Sequence, residues 1–168
     1  PPTDPLAAFY GGKELTPENS TSFAFGGVYQ TGDLFFTFDY YNIEVVDRIT
    51  QSSQITVRTE DHDALRALGV QNPELTSAVT YFANDFDTTT QGIDIVANYS
   101  MELIDSGDTD FALAFNWNET TVDKFNPATT SDGKVKRLEK GMPNYRSTFT
   151  VSQDWEAVSM FVRANYFG

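Results

Sequence analysis

Asp85 and Asp87 stand two positions apart in YFANDFDTTT (81–90), and carboxylates at that spacing are common calcium ligands. DSGDTD (105–110) repeats the theme. Neither stretch carries the rest of a ligand loop, so loop solvation and turn chemistry account for these acids better. His62, flanked by Asp61 and Asp63, is the sole histidine, and the chain has no cysteine. Zinc therefore lacks ligands, and acids at a helix start explain this cluster. A Ser–His–Asp hydrolase would need a nucleophile-elbow sequence, which is absent. Arg163, flanked by apolar residues, could meet a ligand but is better read as the partner of an Asp on a neighbouring strand. We expect no enzyme, no catalytic residue, no metal site and no cofactor.

Charge narrows the partners. The 168 residues carry a formal net charge of −13, which leaves no basic patch for nucleic-acid phosphates. The one basic cluster is Lys134, Lys136, Arg137 and Lys140, in a Gly- and Asp-bearing stretch that reads as solvated loop. Hydrophobic residues make up 40 %, so a core is possible. No run approaches the roughly 18 apolar residues of a membrane helix. Asn19, Asn98 and Asn118 open glycosylation sequons by rule, but strand positions make them coincidental. The chain opens at Pro1-Pro2 and stops inside a strand pattern at Gly168, so we expect a piece of something longer.

The elements that carry these residues alternate with period two. Ile93, Ile95, Ala97 and Tyr99 interleave with Asp94, Val96, Asn98 and Ser100. Leu34, Phe36, Phe38 and Tyr40 share one face, with Phe35, Thr37 and Asp39 on the other. Phe111, Leu113, Phe115 and Trp117 alternate with Ala112, Ala114, Asn116 and Asn118. Phe23, Phe25 and Tyr29 share a parity in 21–30, and two last strands follow over 145–155 and 156–167. DHDALRALGV (61–70) predicts one short helix, capped by Asp61 or Asp63 and ended by Gly69.

The sum is six strands in three hairpins. Short turns at 32–33, 105–109 and 154–156 alternate with long loops at 50–87 and 124–144. Short turns on one side and long loops on the other are the habit of outer-membrane barrels. The apolar stripe would then face lipid and the polar stripe a wet lumen. Tyr40, Tyr41, Tyr99, Trp117, Tyr145 and Trp155 would supply aromatic girdles near strand ends.

Three ordered motifs carry a family likeness. LTPENSTSFAFG resembles the Leu-x-Pro-Glu-x-Ser…Gly approach to a late barrel strand of TonB-dependent outer-membrane receptors, through Leu15, Pro17, Glu18, Ser20 and Gly26. DYYNIEVVDRI is similar to that family's strand exit, through Asp39, Tyr40, Ile43, Asp47, Arg48 and Ile49. YFANDFDTTTQGIDIVANY resembles a third element, through Tyr81, Phe82, Asn84, Thr88, Thr90, Gly92 and Asp94.

The resemblance implies an all-β, antiparallel meander of about six strands, a fragment of a transmembrane barrel of about 22. Residues 1–168 would all belong to that barrel, with the plug domain and TonB box outside the chain. It implies a Gram-negative outer-membrane receptor that takes up iron-siderophore, cobalamin or oligosaccharide, energised through the TonB complex by parts not in this chain. Outer-membrane lipid and a small-molecule ligand would be its partners. We expect ligand contact in the two long loops, assign it to no individual residue, and expect the isolated fragment to self-associate. A secreted β-sandwich that binds glycans is the competing reading of the aromatics and Asn/Asp-rich loops.

Overall fold

The computed structural model describes residues 1–104 and 107–168. The chain opens with helix α1 (Pro5–Phe9), then strands β1 (Asn19–Thr31) and β2 (Leu34–Gln51). The first long connection holds β3 (Ile55–Thr56), α2 (His62–Ala67) and β4 (Ala78–Val79). After it come β5 (Phe82–Ile104), β6 (Gly107–Phe125), α3 (Asp132–Lys140), β7 (Tyr145–Asp154) and β8 (Ser159–Phe167). Six strands form one antiparallel sheet in the order β1-β2-β5-β6-β7-β8, and β3 pairs with β4 alone. That is the expected meander. It is not a sandwich, because among the described residues the six-stranded sheet meets no second sheet larger than the β3–β4 pair.

Several boundaries differ from the sequence reading. Strand β5 starts at Phe82, so the Asp/Thr-rich stretch 82–90 is strand rather than loop. Its acids find partners in the protein: Asp85 accepts from Thr129 and Thr130, and Asp87 accepts from the Asp47 N–H. Helix α2 falls where expected, and Gly69, at φ 87°, ends it in the left-handed conformation that glycine adopts freely. The expected Asp61 cap is not made, because Asp61 closes a 3₁₀ turn at Thr59–Asp61 and has helical backbone angles itself. Its carboxylate instead accepts a hydrogen bond from the Tyr10 hydroxyl at 2.8 Å.

Two helices were not foreseen. Asp4 caps α1 by accepting from the Leu6 N–H at 3.0 Å, with Pro5 at the first helical position. Helix α3 takes up the basic cluster that reads as solvated loop. Its Lys, Arg, Leu and Glu are good helix formers, a local preference that outweighs Gly133. The last turn is closed by the Trp155 N–H on the Val158 carbonyl at 2.9 Å, so β8 begins at Ser159 and not at 156. Asp105 and Ser106 of the expected DSGDTD turn lie outside the described residues, while Asp108–Asp110 are already strand.

The chain divides into two compact units. The first comprises Pro1–Thr21, Glu44–Thr89 and Thr121–Glu139, and so collects both long connections and the N-terminal segment. It has an ordinary core of Ala7, Val57, Leu65, Tyr81 and Phe86. The second comprises Ser22–Ile43, Thr90–Thr120 and Lys140–Gly168, which contain the short turns. Its large apolar side chains stay outside, with Phe25 54 %, Phe149 44 % and Val162 74 % exposed.

Candidate functional site

Within the sheet unit the register sorts the side chains into two stripes. Phe111 pairs with Val151 and then Val162, and Leu113 with Phe149 and then Ala164. Trp117 stands opposite Tyr145. Side chains on one parity share a face, so these residues make one apolar stripe. Phe111 stacks on Phe149 at 6.5 Å, and Phe25 packs on Phe38 and Tyr40 at 6.2 and 5.5 Å. The opposite parity is mostly polar, with Phe161 an exception. Thr148 donates to Asn165 at 2.8 Å, Asn116 to Asp94 at 2.7 Å, and Thr90 meets Thr120 at 2.9 Å. Arg163 lies on this polar face, but its partner is not the expected Asp. Its Nε donates to Thr150 Oγ1 at 3.0 Å, and its guanidinium lies 5.6 Å from the Phe161 ring.

Two glycines of the quoted motifs leave room on that polar face. A Cβ at Gly26 would strike the Asp39 carboxylate, and one at Gly92 would strike the Tyr41 ring. Each motif glycine is therefore filled by a side chain of the neighbouring strand.

In the loop-bearing unit three further motif residues, Glu18, Asp47 and Asn84, tie neighbouring segments together, with Asp47 held most closely. This residue has φ 57°, a left-handed conformation that Asp tolerates better than most. Both of its backbone groups are held by β5 side chains. Its N–H donates to Asp87 Oδ1 at 3.0 Å, and its carbonyl accepts from Asn84 Nδ2 at 2.5 Å. Asn84 also pairs with both backbone groups of Thr16, at 2.9 and 2.8 Å. Glu18 accepts from the Ile49 N–H at 2.5 Å. The motif residues thus make one latch that joins the N-terminal segment, β2 and β5.

The two acids singled out for cation binding are already committed. Asp85 is buried in β5 and accepts from the Thr129 and Thr130 hydroxyls at 2.5 and 3.4 Å. Asp87 holds Asp47 and pairs with Lys124 at 3.5 Å. They are structural acceptors within a strand rather than solvated loop acids. His62 begins α2, as expected of a helix-start cluster. No group of three potential metal ligands occurs among the described residues.

The long connections also dock on each other. The Ser131 N–H donates to Ser53 Oγ at 2.9 Å, and the Ser53 N–H donates to the Thr129 carbonyl at 2.7 Å. Lys134 donates to the Gln51 carbonyl, and its ammonium lies 5.5 Å from the Phe86 ring. Burial pushes the Lys134 pKa down, and the Asp85 carboxylate partly counters it. Burial pushes the Tyr81 phenol up, helped by Asp85, while its hydroxyl donates to the Tyr10 carbonyl at 2.6 Å. Tyr10 is raised as well, first by burial and then by its bond to Asp61. No local pattern in the sequence signals this docking, because it depends on residues about 78 positions apart.

The comparison with protein families decides the wall's identity. All of residues 1–168 match the family described as TonB dependent receptor-like, beta-barrel. The chain belongs to that family. Searches of curated proteins and of solved structures returned no match. The six-stranded sheet is thus part of a TonB-dependent receptor barrel, and the family is one of outer-membrane receptors and transporters rather than an enzyme class. Among the described residues no helix is long and apolar enough to cross a membrane, which says nothing about crossing by strands.

Proposed function

We propose that this TonB-dependent receptor barrel chain is wall and external-loop structure of a protein importing a scarce, bulky ligand across the Gram-negative outer membrane. Iron-siderophore, cobalamin or oligosaccharide would fit that class. Uptake would be energised through TonB, with contact to it made by parts of the receptor other than these strands. The observation that carries the reading is the register-aligned apolar stripe, unburied over strand after strand. Leu34, Phe36, Phe38, Leu113, Phe115, Met160 and Val162 face lipid, and Thr37, Asp94, Asn116 and Thr148 face the lumen.

Aromatic residues of the apolar face mark the lipid band, whereas Tyr41 lies over Gly92 on the polar face. Tyr40, Tyr41 and Trp117 lie inside strands rather than near their ends, because β2 and β6 run to 18 and 19 residues. A tilted crossing needs only about 9–11 residues. Tyr145 and Trp155 bracket a stretch of that length, and Trp117 pairs with Tyr145 at the same rim. Residues 44–51 of β2, 82–89 of β5 and 121–125 of β6 belong to the loop-bearing unit, and we assign ligand contact to the loops of that unit.

The test is an arginine scan of the full receptor, folded into lipid vesicles and unfolded with denaturant. Phe36→Arg should cost about 2–4 kcal/mol, and Thr37→Arg far less. Equal costs at the two positions would reverse or abolish the facing. Loss of ligand uptake on collapse of the proton gradient tests the energisation separately.

A further inference from the structure

We propose that the cavity between the two long connections, centred on Lys134 and Arg137, binds a solute through its carboxylate or phosphate groups. This rests on the receptor reading and adds the charge class of the ligand. The cavity measures about 740 Å³ and is lined by Ser53, Gln54, Ser131, Lys134, Arg137 and Leu138. That volume lies within the range of small-molecule sites, about 300–1,000 Å³. Its walls are fixed before any ligand arrives, because the Ser131–Ser53 and Ser53–Thr129 bonds tie one connection to the other. Lys134 is held in place by the Gln51 carbonyl and the Phe86 ring.

The charges point the same way. In a chain of net charge −13, a cavity lined by two cations and no acid runs against the general field. The ion pairs among the described residues use Arg58, Arg66 and Lys124, and none takes Lys134 or Arg137. The nearby acids are occupied or turned to water. Asp85 accepts from Thr129 and Thr130, Glu139 accepts from the Val122 N–H at 3.1 Å, and Asp132 is exposed at the start of α3. Among the described residues Arg137 makes no ion pair, and its planar guanidinium fork matches carboxylate and phosphate oxygens in pairs. The Ser53 and Ser131 hydroxyls supply further donors. The concave shape favours a solute over a lipid headgroup, whose phosphate offers the same chemistry.

The experiment uses the full receptor in a zwitterionic detergent at low salt, titrated calorimetrically with citrate, with pyrophosphate and with sucrose. Citrate or pyrophosphate should bind and sucrose should not. Arg137→Glu should weaken anion binding by at least about tenfold, the size of one charge-assisted contact. Lys136→Glu makes the same change of charge on an exposed neighbour that does not line the cavity, and should weaken binding less than about threefold. Arg137→Gln, a milder change at an exposed site, should fall between them and guards against misfolding of the reversal. Equal losses at 136 and 137 would mean a diffuse field and overturn the site. So would absence of binding to both anions, or binding that appears only with phosphatidylglycerol vesicles. None of these readouts needs transport, so a failed uptake reading and a failed anion site give different results.

Discussion

Phe86 and Phe149 are the same residue type on strands of one sheet, yet Phe86 is 1 % exposed and Phe149 is 44 % exposed. The first belongs to the loop-bearing unit, where connections fold back and cover β5. The second belongs to the sheet unit, where among the described residues the apolar stripe stays uncovered. Burial by protein and burial by lipid ask for the same side chains, so residue type alone does not separate the two regions. What separates them is the partner register. In the sheet unit apolar residues line up across successive strands, whereas in the loop-bearing unit they converge on a core with Leu65, Val57 and Tyr81.

The largest effect should come from withholding the lipid. Every residue of β1 and of β8 is exposed, and these strands form the two edges of the sheet. Open edges pair with other chains, and an uncovered apolar stripe drives association further. Residues 1–168 expressed alone without detergent should therefore run as oligomers in light scattering and become dispersed when detergent is added. A detergent-free monomer with the sheet intact would break the comparison, because the stripe would then need no covering.

A core truncation should separate the regions next. Phe86→Ala removes a ring buried to 1 % and should cost about 3–5 kcal/mol if the cavity stays open. Phe149→Ala removes a ring from the lipid stripe, where acyl chains can fill the gap, and should cost less. Hydrogen exchange on the full receptor reads both. Phe86→Ala should deprotect 52–81 and 126–140 and leave β7 and β8 protected. A uniform loss over all strands would show that the loop-bearing unit has no core of its own.

Sequence showed the sheet unit well and the loop-bearing unit poorly, for a physical reason. Alternation in Phe111–Asn118 and Leu34–Tyr40 is a local pattern, and the strands followed from it with the correct order. The extent of the strands was hidden, because Asp85 and Asp87 look like loop residues until their partners, Thr129 and Thr130 for the first and the Asp47 N–H for the second, are known. Asp47 itself carried no mark of its left-handed backbone beyond being an Asp. Helix α3 was readable in principle, since VKRLEK favours helix, but Gly133 and the surrounding polar residues suggested loop. The cation-lined cavity at Lys134 and Arg137 was not readable, because Ser53 reaches it from the other connection.

The smallest effect, and the one that sharpens the boundary between the regions, concerns Asn84. Its amide pairs with both backbone groups of Thr16, much as a strand neighbour would, and also meets the Asp47 carbonyl. A side chain here does the work of a ladder at a place where the N-terminal segment has not yet entered β1. Asn84→Ala removes all three bonds at a position open enough for water to replace them, so the net cost should be about 1–2 kcal/mol. That corresponds to roughly a 5- to 30-fold loss of protection at the Thr16 amide. Asn84→Asp keeps the acceptor for the Thr16 N–H but sets a carboxylate against two carbonyl oxygens, so it should do at least as much damage. Amides of β7 and β8 belong to the sheet unit and should not change in either variant. If Thr16 keeps its protection in Asn84→Ala, the latch is a consequence of strand pairing and not its support, and the N-terminal segment is held by something other than the motif that marks it.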